Sequence, residues 1–152
     1  MAVTHYTNST SWSKLNGKAI PHPDFPMGGQ FDDAEDYPPK NAWSCVAFAK
    51  LMSKYLFNDY NYGTTIDQTK IDSEADAKKF ITGLTKGSRL KGHKSNGTSH
   101  TMIVLGHNND GKSCNVYHAN WPDSGNPYAV NISKFTYADF DSYYSHASAA
   151  KA

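Results

Sequence analysis

The stretch SHTMIVLGHNNDGKSCNVYHAN, residues 99–120, carries two strand patterns around one turn. Met102, Ile103, Val104 and Leu105 form a short apolar run, the mark of a strand covered on both faces. Asn108-Asn109-Asp110-Gly111 supplies the residues of a tight hairpin turn, and a return strand runs from about Ser113 to Asn120. If the chain reverses through 108–111, partners pair at positions summing to about 220. That rule sets His100 opposite Asn120 and Met102 opposite His118, with all four side chains on one face.

Working outward, the spacing upstream predicts a helix from Ser44 to Phe57. Cys45, Phe48, Ala49, Met52 and Leu56 fall on one stripe, Leu51 and Tyr55 widen it, and Lys50 and Lys54 lie opposite. Ser44 is a natural N-cap, and Pro38-Pro39 keeps the helix from starting much earlier. Cys45 therefore belongs to the first turn. A second helix is expected from about Glu74 to Leu84, capped by Asp72 or Ser73, with Ala77, Phe80, Ile81 and Leu84 inward and Gly87 as its stop. A short strand over Ser88–Lys91, another from about Tyr128 to Phe135, a capping box at Thr136-x-x-Asp139 for a final helix, and a frayed tail ASAAKA complete the reading.

Residues 1–40 read differently. Seven Gly or Pro positions between Pro21 and Pro39 make the segment irregular, while Trp12, Phe25, Phe31 and Tyr37 give it apolar anchors, so a docked, wrapping arm is expected. The acidic cluster Asp32, Asp33, Glu35, Asp36 lacks the alternating spacing of a calcium loop and reads as solvated. The whole chain of 152 residues is then a single α+β domain, a helix carrying the cysteine packed on an antiparallel sheet.

Composition narrows the function classes. Charged residues make up 19% and the net charge is +1, too little to draw in nucleic acid or an anionic membrane. No run of about 18 apolar residues crosses a bilayer, and MAVTHYTNST lacks the basic-then-apolar pattern of a secretory signal. Two cysteines far apart in sequence make no disulfide framework.

A thiol attacks a carbonyl as thiolate, and unpaired N–H groups at a helix start stabilise negative sulfur. Cys45 has that position; Cys114, in phase with His118, reads as packing. A base whose ring is held by a third group on the next strand is what a thiol hydrolase needs, and His118 and Asn120 both offer such a partner to His100. His5, His22, His93, His107 and His146 have no comparable setting and are taken as surface residues. A metal site of Cys45, His100 and His118 lacks close ligand spacing, so neither metal nor cofactor is expected.

WSCVAFAKLMSKYLF, SHTMIVLGHNNDG and VYHANW, in that order, resemble the cysteine, histidine and third-residue blocks of the CHAP and NlpC-type amidases of the papain-like superfamily, over roughly residues 37–145. The resemblance implies a papain-like fold with Cys45 as nucleophile, His100 as general base, and His118 or Asn120 in the third role. CHAP domains usually carry Glu where His118 stands, whereas NlpC-type enzymes often use a His. In KGSRLKG, Ser88 replaces the Asp of the family's turn. The oxyanion needs donors: the Cys45 N–H is one, Asn41 or Tyr37 a second, and Trp43 and Trp121 are expected to wall the groove.

The family chemistry implies cleavage of peptide bonds in bacterial peptidoglycan, by a protein secreted or delivered to the periplasm or cell wall, with a cytoplasmic home left open. A delivered toxin would have a neutralising immunity protein as partner. The alternatives are an intracellular cysteine protease or deamidase toxin acting on protein, and a non-catalytic binding module of the same fold.

Overall fold

The structure, a computed structural model, describes residues 45–119 and 130–152. The wrapping arm expected over residues 1–40 lies outside them. Helix α1 spans Cys45–Phe57, followed by strand β1 (Thr64–Lys70), helix α2 (Glu74–Thr82), and strands β2 (Arg89–His93), β3 (Ser99–His107), β4 (Ser113–Ala119) and β5 (Val130–Thr136); helix α3 (Tyr137–Tyr143) and strand β6 (His146–Lys151) close the series. The six strands form one sheet in the order β1-β6-β2-β3-β4-β5, every neighbouring pair antiparallel. An α+β architecture follows, as the helix and hairpin patterns predict.

Local chemistry sets the helix ends. Asn58, at φ 61°, takes the left-handed conformation that terminates α1, its N–H returning 2.9 Å to the Lys54 carbonyl. Ser73 caps α2, its hydroxyl accepting from the Asp76 N–H at 3.1 Å. That helix stops at Gly83, before Leu84 and Gly87. Gly87, at φ 90°, instead turns the chain into β2 and donates its N–H to the Val104 carbonyl at 2.9 Å. Thr136 caps α3, its Oγ1 accepting from the Asp139 N–H at 3.0 Å, the N-cap half of the expected capping box.

The sheet divides the core in two. Phe48, Ala49, Leu51 and Met52 of α1 pack against Ile103, Leu105 and Tyr117 on one face. On the other, Ala77 and Ile81 of α2 and Phe140 of α3 meet Leu90, Met102, Val104, Val116 and Phe135. This split is why β3 reads as a continuous apolar run: consecutive side chains serve opposite layers. Burying Phe48, Met52 and Leu56 fully contributes about 1.5–3 kcal/mol each. Arg89 ties α1 to the sheet, its Nη1 donating to Ser53 Oγ at 2.9 Å and to the carbonyls of Tyr60 and Tyr62 at 2.9 and 3.1 Å.

The frayed tail is not observed. Residues 146–151 form β6, hydrogen-bonded on one side to β1 and on the other to β2. Their small side chains fit a strand with close neighbours: Ala147 is buried beside Gly92, and a Cβ on Gly92 would stand 2.5 Å from the Tyr144 ring. Gly92→Ala is therefore expected to destabilise the domain by about 1–3 kcal/mol through overpacking, seen as a lower urea midpoint. An unchanged midpoint would show that the Tyr144 ring yields without cost.

Candidate active site

The β3–β4 register places the candidate histidines. Ile103 pairs with Tyr117 and Val104 with Val116, the pairing expected from the turn, and a bulge at Leu105 shifts the turn end by one residue to Gly106 with Asn115 and His107 with Cys114. His100 and His118 consequently meet on the same face: His100 Nε2 lies 2.8 Å from His118 Nδ1, with ring centroids 5.1 Å apart. His118 Nε2 in turn lies 2.8 Å from Ser133 Oγ of β5. His100 is 5% exposed and His118 fully buried, so imidazole, imidazole and hydroxyl form a buried polar row in an apolar layer. Ser133 is absent from the sequence reading, although the alternation NISKF puts it in phase with the inward Phe135.

Burial keeps both rings neutral. Desolvation, followed by the positive charge that His118 would carry, pushes His100 down to about 3, and desolvation pushes His118 down to about 4. Two proton arrangements satisfy both hydrogen bonds. With protons on both Nε2 atoms, His100 Nδ1 is the unprotonated nitrogen; with Ser133 donating, the order reverses and His100 Nδ1 carries the proton.

Cys45 occupies the first residue of α1, half-buried and outside any disulfide. Its helix covers the face bearing Ile103 and Leu105, whereas His100 alternates with Met102 and Val104 on the face covered by α2 and α3. Among the described residues no hydrogen bond joins Cys45 to either histidine. The structure thus brings His100 and His118 together and carries Cys45 on the opposite layer. Cys114 is fully buried, and burial pushes its thiol up to about 12, which suits packing and excludes a thiolate at neutral pH. Asn120, Asn41, Tyr37, Trp43 and Trp121 lie outside the described residues.

Three histidines read as surface residues have partners instead. His93 Nε2 lies 2.7 Å from Ser148 Oγ, His107 Nδ1 3.2 Å from the Tyr137 hydroxyl, and His146 Nδ1 3.0 Å from Ser145 Oγ; all three are half-buried. Among the described residues no group of three or more His, Cys, Asp or Glu side chains is placed to hold a metal ion.

The neutral pair links stability to pH. An unfolded histidine titrates near 6.5. Above that value both states are neutral; as the pH falls toward the native values of about 3 and 4, the unfolded chain binds protons that the folded chain refuses. Stability should fall by about 1 kcal/mol per pH unit for each ring below pH 6.5. Urea unfolding from pH 7.5 to 4.5 measures this, and His118→Gln should flatten the acid limb; a limb equally steep in that variant would place the proton uptake elsewhere.

Comparison of the chain with models of protein families, with curated proteins and with solved structures found no match.

Proposed function

We propose that the protein is a cysteine-dependent amide hydrolase of papain-like fold, acting on peptide bonds of bacterial peptidoglycan. The observation that carries this reading is the buried His100–His118 hydrogen bond at the start of β3. The tautomer with both Nε2 atoms protonated leaves His100 Nδ1 to accept a thiol proton and His118 to fix the ring, while burial, which holds His100 at about 3, opposes that transfer. His118 holds the ring and Ser133 holds His118. Cys45, the first residue of α1 and half-buried, supplies the nucleophile. Its N–H would serve the oxyanion.

In this mechanism Cys45 Sγ gives its proton to His100 and attacks the carbonyl carbon. The leaving amine takes that proton as the C–N bond breaks, and water then releases the acid from the thioester, regenerating the thiol. A second reading, a non-catalytic binding module, is favoured by one specific feature: α1 and the histidine pair lie on opposite faces of the sheet.

Digestion of purified sacculi, with products read by mass spectrometry, separates the two. The hydrolase reading expects new peptide termini, lost in Cys45→Ala and reduced by a factor of about 100 or more in His100→Ala, and retained in Cys114→Ala. Cleavage that survives Cys45→Ala would remove the nucleophile; intact sacculi together with cleaved protein substrates would move the reading to a protease. Alkylation by iodoacetamide at neutral pH supplies a check without substrate. Cys45 should be modified faster than Cys114 in the folded protein, and faster than the same cysteine after unfolding in urea; a Cys45 rate no higher than in the unfolded chain favours the binding module.

A further inference from the structure

On the face of the sheet away from His100 and His118, a histidine of β2 and a serine of β6 form a second polar pair. His93 Nε2 lies 2.7 Å from Ser148 Oγ, and both side chains are half-buried. The other ring nitrogen, Nδ1, is 3.5 Å from the Gln68 side-chain amide of β1, a half-turn of which presents its oxygen. With the proton on Nδ1, Nε2 accepts from the Ser148 hydroxyl, the arrangement in which a base activates an alcohol as nucleophile.

Ser148 also lines a cavity of about 130 Å³ between α1 and the strands β2, β3 and β6. Thr101 pairs with Lys91 and Lys91 with Ser148, so the three side chains stand in one row across β3, β2 and β6, on the floor of that cavity. At the far end of the row Thr101 is 5% exposed, and its hydroxyl has no hydrogen-bond partner among the described residues. A buried hydroxyl in that state is costly, and an acceptor on a ligand removes the cost. Arg89 and Lys50, which also reach the cavity, have partners already, so the ligand that suits it is uncharged.

We propose that Ser148 and His93 are the nucleophile and base of a site that cleaves small neutral esters, the acyl chain lying in the cavity against Val46 and Ala150 with a chain oxygen accepting from Thr101. Ser148 Oγ attacks the ester carbonyl while its proton passes to His93 Nε2, and the oxyanion forms beside the Lys91 ammonium. The C–O bond breaks, the departing oxygen takes the proton from His93, and water then releases the carboxylic acid from the acyl-serine, restoring both groups. An ester suits this base better than an amide. Burial, then the charges of Lys91 and His146, hold His93 below the usual histidine range, and an ester oxygen leaves more readily than nitrogen. Two inter-strand steps separate Ser148 from Thr101, about 10 Å. A covalent bond at one end and a hydrogen bond at the other leave about 5 Å for the chain, the length of a levulinyl group with its ketone oxygen. The site uses neither Cys45 nor His100, so it stands or falls apart from the cysteine reading.

The test gives the full chain p-nitrophenyl levulinate and p-nitrophenyl valerate, reading nitrophenolate release and locating the acylated residue by mass spectrometry. The proposal expects the adduct on Ser148, and turnover reduced by a factor of about 100 or more in Ser148→Ala and in His93→Gln. It also expects kcat/KM about tenfold or more higher for levulinate, whose ketone reaches Thr101. Thr101→Val should abolish that preference while leaving the urea midpoint equal or higher, because the buried hydroxyl is gone. An adduct on Cys45 or on a lysine in place of Ser148, equal kcat/KM for the two esters, or undiminished turnover in Ser148→Ala would each overturn it. If Ser148→Ala fails to fold, His93→Gln carries the same expectation, and full turnover in that variant counts against the proposal.

Discussion

The antiparallel pairing of β3 with β4 is the constraint from which the rest follows. Both strands lie inside the sheet and are covered on both faces, so a slip of one residue would exchange every side chain between two different layers. Ile103, Leu105 and Tyr117 belong to α1; Met102, Val104, Cys114 and Val116 belong to α2 and α3. The bulge at Leu105 takes up the mismatch between this register and the turn, leaving the His100 end of the ladder undisturbed. His100 and His118 meet because the register holds at that end.

A buried polar row in an apolar layer is costly unless each member is bonded, and here each imidazole reaches another group. Replacing the row by aliphatic side chains would fill the same layer without demanding neutral rings. The two cysteines differ in setting. Cys114 is sealed beneath α2 and α3 as an apolar filler, and Cys45 stands at a helix end with part of its surface open.

Legibility in the sequence tracked how strongly each segment's own residues prefer one state. The hairpin around Asn108–Gly111, the stripe of α1 and the caps at Ser73 and Thr136 were readable because turn residues, period and capping chemistry agree within a few positions. β6 was not: HASAAK has no β-branched or aromatic residue, and its strand state comes from neighbours on both sides. β1 escaped for the opposite reason, being an edge strand whose TTIDQTK is largely exposed and lacks an apolar face. That His100 and His118 share one face followed from counting through the turn, which set His100 opposite Asn120 and left the third role open between His118 and Asn120. The layer on which α1 lies did not, since that depends on long-range connections that leave no periodic trace.

The placement of β6 bears on how the polypeptide matures during synthesis. Among the described residues β1 has β6 as its one sheet neighbour, and β2 needs the same strand on its outer edge. Until residue 151 has been added, β1 has no ladder to join and one side of β2 is bare; the residues that wait longest for a partner are among the first of the described chain to emerge. Such a non-local closure is slow, and it exposes strand edges to other chains in the meantime. Nascent chains crowded on one message would be most prone to mispairing in that interval, which makes the emergence of residues 146–151 the step that completes the sheet.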